Sequence, residues 1–432
     1  MKHDLWKHDF RGTVCEALSV KHDLTAAEAA DRLGIKVASL YAYVSRGVLS
    51  RHSAADGRSS RFDASEVDEL AASRRRSAGA DPTGLPEITT AITQLGAGAL
   101  AYRGRDAAEC ARTMTFESVA EWLWTGLDPG STVTWASDPS VVALARRVSS
   151  LLPRTALLPD HLRVIVAAIA TTDPLRFDVR PLAFTSAARN LIAGLVDALP
   201  QRRAGGVPRL QLASDEQFVS GSLAARLWLR LSPMRPDSAL LRVLNAALVM
   251  MADHEMATST FGVRIAASTR ADPYACIAAG LGVFAGPLHG SASASVHDLL
   301  MQAGQMEGAT AAVSNLLRQG ERLPGFGHPQ HADGDPRAKV LLDLLREAQP
   351  NQRRLAVVEG VLGAVGRRHP VAPNVDFAAA ALAYVALMPR DACEVAFGVA
   401  RCAGWIAHAL EELQEEPLRF RPRARYVGPT SG

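Results

Sequence analysis

Reading apolar against polar positions along the chain gives a succession of helices. Apolar residues recur at three- and four-residue spacing over Phe116–Trp124, Leu162–Ala170, Ala183–Leu199, Ser238–Met251, Pro273–Phe284 and Asp376–Met388. That is the period of a helix with a buried face or, where nearly every position is apolar, of a helix buried all round. Strict alternation, the mark of a half-buried strand, is scarce. Breaks carry Gly and Pro, as at Gly205-Gly206-Val207-Pro208 and Leu323-Pro324-Gly325-Phe326-Gly327, residues that punctuate helices. No stretch repeats another. The pattern predicts an all-α chain.

The first eighty residues read differently. Thr25 predicts a helix start over Ala26–Leu33, with Glu28 completing a capping box;. Gly34 ends that helix, Val37–Ser45 supplies a second, and Gly47 ends it. The Arg46–Arg61 stretch predicts a hairpin wing, and Asp63-Ala64-Ser65-Glu66 opens a further helix. In such a helix-turn-helix, Lys36, Ser39, Tyr41, Tyr43, Ser45 and Arg46 are the groove-facing candidates. Arg51, Arg58 and Arg61 suit phosphates. The stretches Glu28–Ile35 (EAADRLGI) and Ser39–Leu49 (SLYAYVSRGVL) resemble winged MerR-like and excisionase-type DNA-binding modules. Residues 1–80 carry 13 Lys and Arg against 11 Asp and Glu. The surplus of two makes DNA contact a matter of local placement. A helical appendage used for packing is the other reading of this segment.

Composition narrows the picture further. The 432 residues are 48% hydrophobic, 6% aromatic, and carry a net charge of +3, so no global field draws the chain to nucleic acid. Cys15, Cys110, Cys276, Cys393 and Cys402 are scattered and form no CxxC pair, which points away from a zinc site or disulfide framework and towards a reduced cytosol. The opening MKHDLWKHDF lacks the apolar core of a signal peptide;. Apolar runs such as Phe377–Met388 fall short of the roughly 18–20 residues needed to cross a bilayer. The expectation is a cytoplasmic protein with no membrane segment.

Candidate chemistry clusters after residue 250. Four motifs occur in order: Ala252-Asp253-His254-Glu255 leading to Ser259-Thr260; Gly286-Pro287-Leu288-His289-Gly290; Gly325-Phe326-Gly327-His328 with Asp335-Pro336-Arg337-Ala338; and Pro373-Asn374-Val375-Asp376-Phe377. A fifth, Arg401-Cys402-Ala403-Gly404-Trp405-Ile406-Ala407-His408, precedes Arg421-Pro422-Arg423. Together with Gly84-Leu85, Ala101-Tyr102-Arg103-Gly104 and the Phe116–Gly126 helix, they make the chain beyond residue 80 resemble the citrate synthase family almost from end to end. Two decoys fall away. His328, His331, Asp333 and Asp335 lack convincing metal-ligand spacing, and Gly280-Leu281-Gly282 with Gly286 follows a helix where a dinucleotide fingerprint follows a strand.

The resemblance implies the condensation of acetyl-CoA (or propionyl-CoA) with oxaloacetate to citrate (or 2-methylcitrate) and CoA. Taking a proton from carbon beside a thioester needs a carboxylate base and a donor on the thioester oxygen. By resemblance Asp376 is the base, His289 the donor, and His328 the acid at the oxaloacetate carbonyl. Arg337 and Arg401 bind the two carboxylates bidentately, His254 adds a hydrogen bond, and Arg421 reaches in from the partner of a homodimer. No metal and no resident cofactor are called for. The residues after His289 open a helix, whose N-terminus disfavours imidazolium. Asp376 lies at the head of an apolar helix, either as its cap or as a base whose pKa burial raises.

The domain layout implied is a helix-turn-helix module over 20–76, a linker over 77–84, a large domain from 84–290 and 383–432, and a small one from 291–382. The sequence departs from the family at two points. Relatives usually carry Gly-Gly-Ala-Asn or Gly-Leu-Ala-Asn where this chain has Gly290-Ser291-Ala292-Ser293. Bacterial members commonly have Arg-Val-Tyr where it has Pro329-Gln330-His331. These departures and the front module support a second reading: a DNA-binding regulator whose synthase-like domain senses CoA esters or dicarboxylates.

Overall fold

The computed structural model describes residues 23–35, 37–45, 49–53, 59–68, 70, 87–96, 98–130, 133–201, 221–287, 289–290, 292–305, 308–331, 334–368, 371–422 and 424–428. The chain divides into two compact units, 1–89 and 90–432.

In the first unit Thr25 caps the Ala26–Arg32 helix. Its Oγ1 accepts from Glu28 N (3.3 Å), and its own N–H donates to the Glu28 carboxylate at 2.8 Å. Gly34 turns the chain at φ +63° into the Val37–Ser45 helix. His52–Ser53 pairs antiparallel with Ser60–Asp63, forming the wing, and Asp63 Oδ1 accepts from Ser65 N and Glu66 N as the next helix begins. Asp23–Thr25 adds a third strand on the other edge of Ser60–Asp63. Three residues are too few to show a period, so this strand left no pattern in the sequence. Ala29, Ala30, Leu33, Leu40, Leu49, Phe62 and Val67 make the core.

Among its described residues the second unit is mainly helical, with a small antiparallel sheet of Thr93–Gly96, Ala99–Tyr102 and Arg105–Asp106. Among the described residues, helices span Phe116–Thr125, Leu158–Ala170, Pro181–Ala198, Ser238–Met251, Pro273–Phe284 and Val375–Val385, within a few residues of the apolar periodicity. Aspartate caps three described helices that open on Pro, at Asp138-Pro139, Asp272-Pro273 and Asp335-Pro336. The side chain takes a free N–H, and the ring needs none.

The Ala392–Glu412 helix runs through the core, buried nearly all round. It packs against the Phe116–Thr125, Ser238–Met251, Thr258–Ser268 and Pro273–Phe284 helices. Gly404 sits where it meets the Ala252–Asp253 turn, donating its N–H to Ala252 O at 3.0 Å. A Cβ there would lie 2.3 Å from Asp253 Oδ1 and 2.5 Å from Ala252 O, so only glycine permits the approach. The Val375–Val385 helix packs on the Ala292–Gln305 and Pro336–Glu347 helices. Cys110, Cys276, Cys393 and Cys402 are buried free thiols. No described helix is long and apolar enough to cross a membrane.

Candidate active site

The second unit assembles its site from loops and helix ends. Gly325–His328 is held by three hydrogen bonds: Gly327 N to Ala372 O, Asn374 N to Gly325 O, and Asn374 Nδ2 to Gly327 O, each 2.9 Å. Gly325 takes φ +79°, and a Cβ there would meet Val296 and Phe377 at 2.7 and 2.9 Å. Asn374, not Asp376, caps the Val375–Val385 helix, with Oδ1 accepting from Asp376 N and Phe377 N. Asp376 is thereby released from capping, and its carboxylate has no hydrogen-bond or ion-pair partner among the described residues. Burial raises its pKa to about 6, against the lowering effect of Arg337.

Arg337 is buried in an ion pair with Asp335, Nε and Nη2 each donating to its carboxylate at 2.9 Å. Those bonds hold Asp335 below the usual carboxylate range despite burial. Asp335 Oδ2 also accepts from Val375 N at 2.9 Å, tying the Arg337 helix to the Asp376 helix. Arg337 Nη2 lies 3.3 Å from His328 Nε2. His328 Nδ1 accepts from Gln330 N at 3.2 Å, which puts the proton of the neutral ring on Nε2. Two donors so placed repel each other, and an acceptor oxygen bound beside them would relieve the contact by accepting from both;. Burial, reinforced by Arg337, holds the His328 pKa down at about 4.

Arg401 is buried midway along the Ala392–Glu412 helix. Its Nε donates to Met251 O at 3.0 Å, and its guanidinium stands 4.9 Å from the Phe397 ring centre. Burial lowers its pKa, Asp253 opposing. No carboxylate among the described residues pairs directly with it, an arrangement that favours an anionic ligand because an unpaired buried charge is costly. Asp253 itself is occupied by Thr93 and by His408 Nε2 at 3.3 Å, and His408 leads on to Arg264, Glu411 and Glu412. This buried network fixes the turn that carries His254.

His289 lies three residues before the Ala292–Gln305 helix. Its Nε2 is 2.8 Å from the buried Ser259 Oγ, and its ring stands edge-on to Phe284. Burial and then Arg401 keep the imidazole neutral. His254 is buried too, its pKa pressed far down by burial, Arg337 and Arg401. Its ring meets those of His328 and His331 edge to face. Ser293 is buried, and its hydroxyl meets the Cys393 thiol, which feels Asp376.

The structure thus gathers His254, His289, His328, Arg337, Asp376 and Arg401 around one site, linked by the two guanidinia. Arg421 is exposed and stands outside this set in a single chain. Sequence reasoning passed over Ser259, Asp335, Asn374 and His331. Asp335 and Asn374 were legible as side chains of capping type just ahead of apolar helices. No signal marked Ser259 as the partner of His289. Among the described residues no group of three or more His, Cys, Asp or Glu is placed to hold a metal ion.

Of the DNA-contact candidates, Lys36, Arg46 and Arg58 lie outside the described residues, as do the side chains of Ser39 and Ser45. Tyr41 is exposed, edge-on to Phe62, whereas Tyr43 packs against the core. Residues two apart on a helix point to different faces, so the tyrosines do not share a groove-facing surface. Arg51 is exposed and Arg61 half-buried.

A family model described as "Citrate synthase, C-terminal domain" matches residues 81–423. The chain belongs to the citrate synthase family. The citrate synthase of Haloferax volcanii is 31% identical, the match covering 77% of this chain and 90% of that one. A protein named 2-methylcitrate synthase 1 from Corynebacterium glutamicum is 28% identical over 76% and 89%. The crystal structure of citrate synthase from Pyrobaculum aerophilum matches with a TM-score of 0.63 at 25% identity, over 81% of this chain and 92% of that one. A second family model, "Helix-turn-helix domain", matches residues 24–75. The chain is an enzyme of the citrate or 2-methylcitrate synthase type, a transferase. Such enzymes take the acyl-CoA as a substrate and need no resident cofactor.

Proposed function

We propose that this enzyme condenses acetyl-CoA or propionyl-CoA with oxaloacetate. The observation that carries the reading is the Asp376 carboxylate: half-buried, without a hydrogen-bond or ion-pair partner among the described residues, raised to about 6 by desolvation, and within the field of the buried Arg337. A base of that pKa is ionised at neutral pH yet holds a proton well. Ser259 donates its O–H to His289 Nε2, which leaves the ring proton on Nδ1 for the thioester oxygen. Asp376 removes a proton from the carbon beside the thioester, and His289 stabilises the enolate. The enolate carbon attacks the ketone of oxaloacetate, and His328 gives its Nε2 proton to the new alkoxide. Water then cleaves the thioester, releasing CoA. Arg401, which lacks a carboxylate partner, and Arg337 bind the carboxylates of oxaloacetate, with His254 adding a hydrogen bond.

The same reading takes residues 291–382 as a small domain that closes on a large domain of 84–290 and 383–432, expelling water. It also takes a homodimer as the functional unit, with Arg421 completing the partner's site. Thiol release from acetyl- and propionyl-CoA, with and without oxaloacetate, tests the proposal. Oxaloacetate-dependent release supports it, and no release with either ester overturns it. The helix-turn-helix match over 24–75 favours a second task, DNA binding by residues 20–76. On that account a chain inert towards both esters, yet binding a specific DNA in a salt-sensitive way, is a regulator sensing CoA esters or dicarboxylates.

A further inference from the structure

His331 has no task in the mechanism above, yet it is only 5% exposed and lies between two histidines that do. Its ring centre is 5.2 Å from that of His254 and 4.8 Å from that of His328. Its Nε2 stands 2.9 Å from His254 Nε2. At that separation two N–H groups cannot face each other, so one ring donates and the other accepts. Burial and Arg337 keep both rings neutral, so each carries a single proton.

The other nitrogen of His331 decides the direction. His331 Nδ1 is buried and has no hydrogen-bond partner among the described residues. Were His331 the acceptor at Nε2, its proton would sit on Nδ1 as a buried N–H without an acceptor. Were it the donor, Nδ1 would be a bare lone pair. Orphaned buried N–H groups are the rarer of the two, so the donor arrangement prevails. We propose that His331 is a positioning residue for the dicarboxylate substrate: its Nε2–H donates to His254 Nε2 and holds His254 as the Nδ1–H tautomer.

His254 then has one N–H to offer the substrate, at a fixed ring nitrogen. Without His331 its proton divides between two nitrogens, and part of the population presents a lone pair to an anion. Only the Nδ1–H fraction then binds, so the dissociation constant rises by the inverse of that fraction, roughly two- to fivefold. The inference rests on the oxaloacetate reading for its substrate, although the tautomer itself does not.

Two measurements on the full chain test it. The first titrates oxaloacetate calorimetrically into the wild type and into His331→Leu, His331→Asn and His331→Gln, with steady-state kinetics alongside. A Gln amide nitrogen falls near the place of imidazole Nε2, whereas that of Asn does not reach it. The Leu and Asn variants are expected to weaken oxaloacetate roughly two- to fivefold, more in its KM than in kcat, and Gln to restore the wild-type affinity. Equal affinity in Leu and Gln variants overturns the proposal. The second records two-bond 15N–1H correlations of the histidine rings in ligand-free wild type, with His254 assigned by His254→Gln. An Nδ1–H pattern for His254 supports the proposal, and an Nε2–H pattern overturns it. This readout stands even if the variants fail to fold. Failure of the wild type to bind oxaloacetate overturns the functional reading instead, and the spectrum still decides the role of His331.

Discussion

At the scale of single residues, the protonation states around Asp376 make the most specific predictions. If Asp376 is the base it must be ionised to accept a proton, and its pKa stands near 6. The rate on limiting acyl-CoA is therefore expected to rise about tenfold per pH unit up to about pH 6 and then level off. A profile flat from pH 5 to 8 would count against Asp376 as the base. Asp376, His289 and His328 were legible as candidates because motif spacing survives in the linear chain. The partners that tune them were not, since Ser259 meets His289 across thirty positions. His331, notable in the sequence only as a departure and a metal decoy, proves to be bonded to His254.

At the scale of elements, close approaches explain several glycines that the motifs contain. Gly404 lets the central helix touch the Ala252–Asp253 turn, and backbone cannot yield as a flexible side chain does. Gly404→Ala is expected to cost about 1–3 kcal/mol, read as a lower melting temperature, and to raise the oxaloacetate KM by displacing His254. An unchanged melt and KM would show that the contact is dispensable. In the front unit Thr25→Ala removes the capping box and is expected to cost about 1 kcal/mol of local stability, seen as faster amide exchange over Ala26–Arg32. Helices of ten or more residues announced themselves by period. The short strands at Asp23–Thr25 and Thr93–Asp106 did not, because two to four residues pair through the backbone and carry no pattern of their own.

At the scale of the whole molecule, two questions concern what lies beyond one site. If Arg421 completes the partner's site, neither Arg421→Ala nor Asp376→Asn homodimers work well, but mixed dimers hold one intact site. Mixing and re-equilibrating the two variants is expected to recover about a quarter of wild-type activity. Recovery of none would place Arg421 in its own chain's site, and an Arg421→Ala homodimer of full activity would place it in neither. The front module is expected to be dispensable for chemistry: removal of residues 1–80 leaves kcat unchanged and abolishes any salt-dependent DNA binding. The family was legible from five motifs in order. The acyl group was not, because one methyl in an apolar pocket is worth only about 1–3 kcal/mol and no motif encodes it.

The central claim is that Asp376 is the base of an oxaloacetate-dependent condensation. Its most direct test is Asp376→Asn, followed by thiol release and by calorimetric binding of oxaloacetate on the same preparation. The account predicts turnover at least about a hundredfold below wild type, with the oxaloacetate dissociation constant unchanged within about twofold. Turnover within a few-fold of wild type would contradict it.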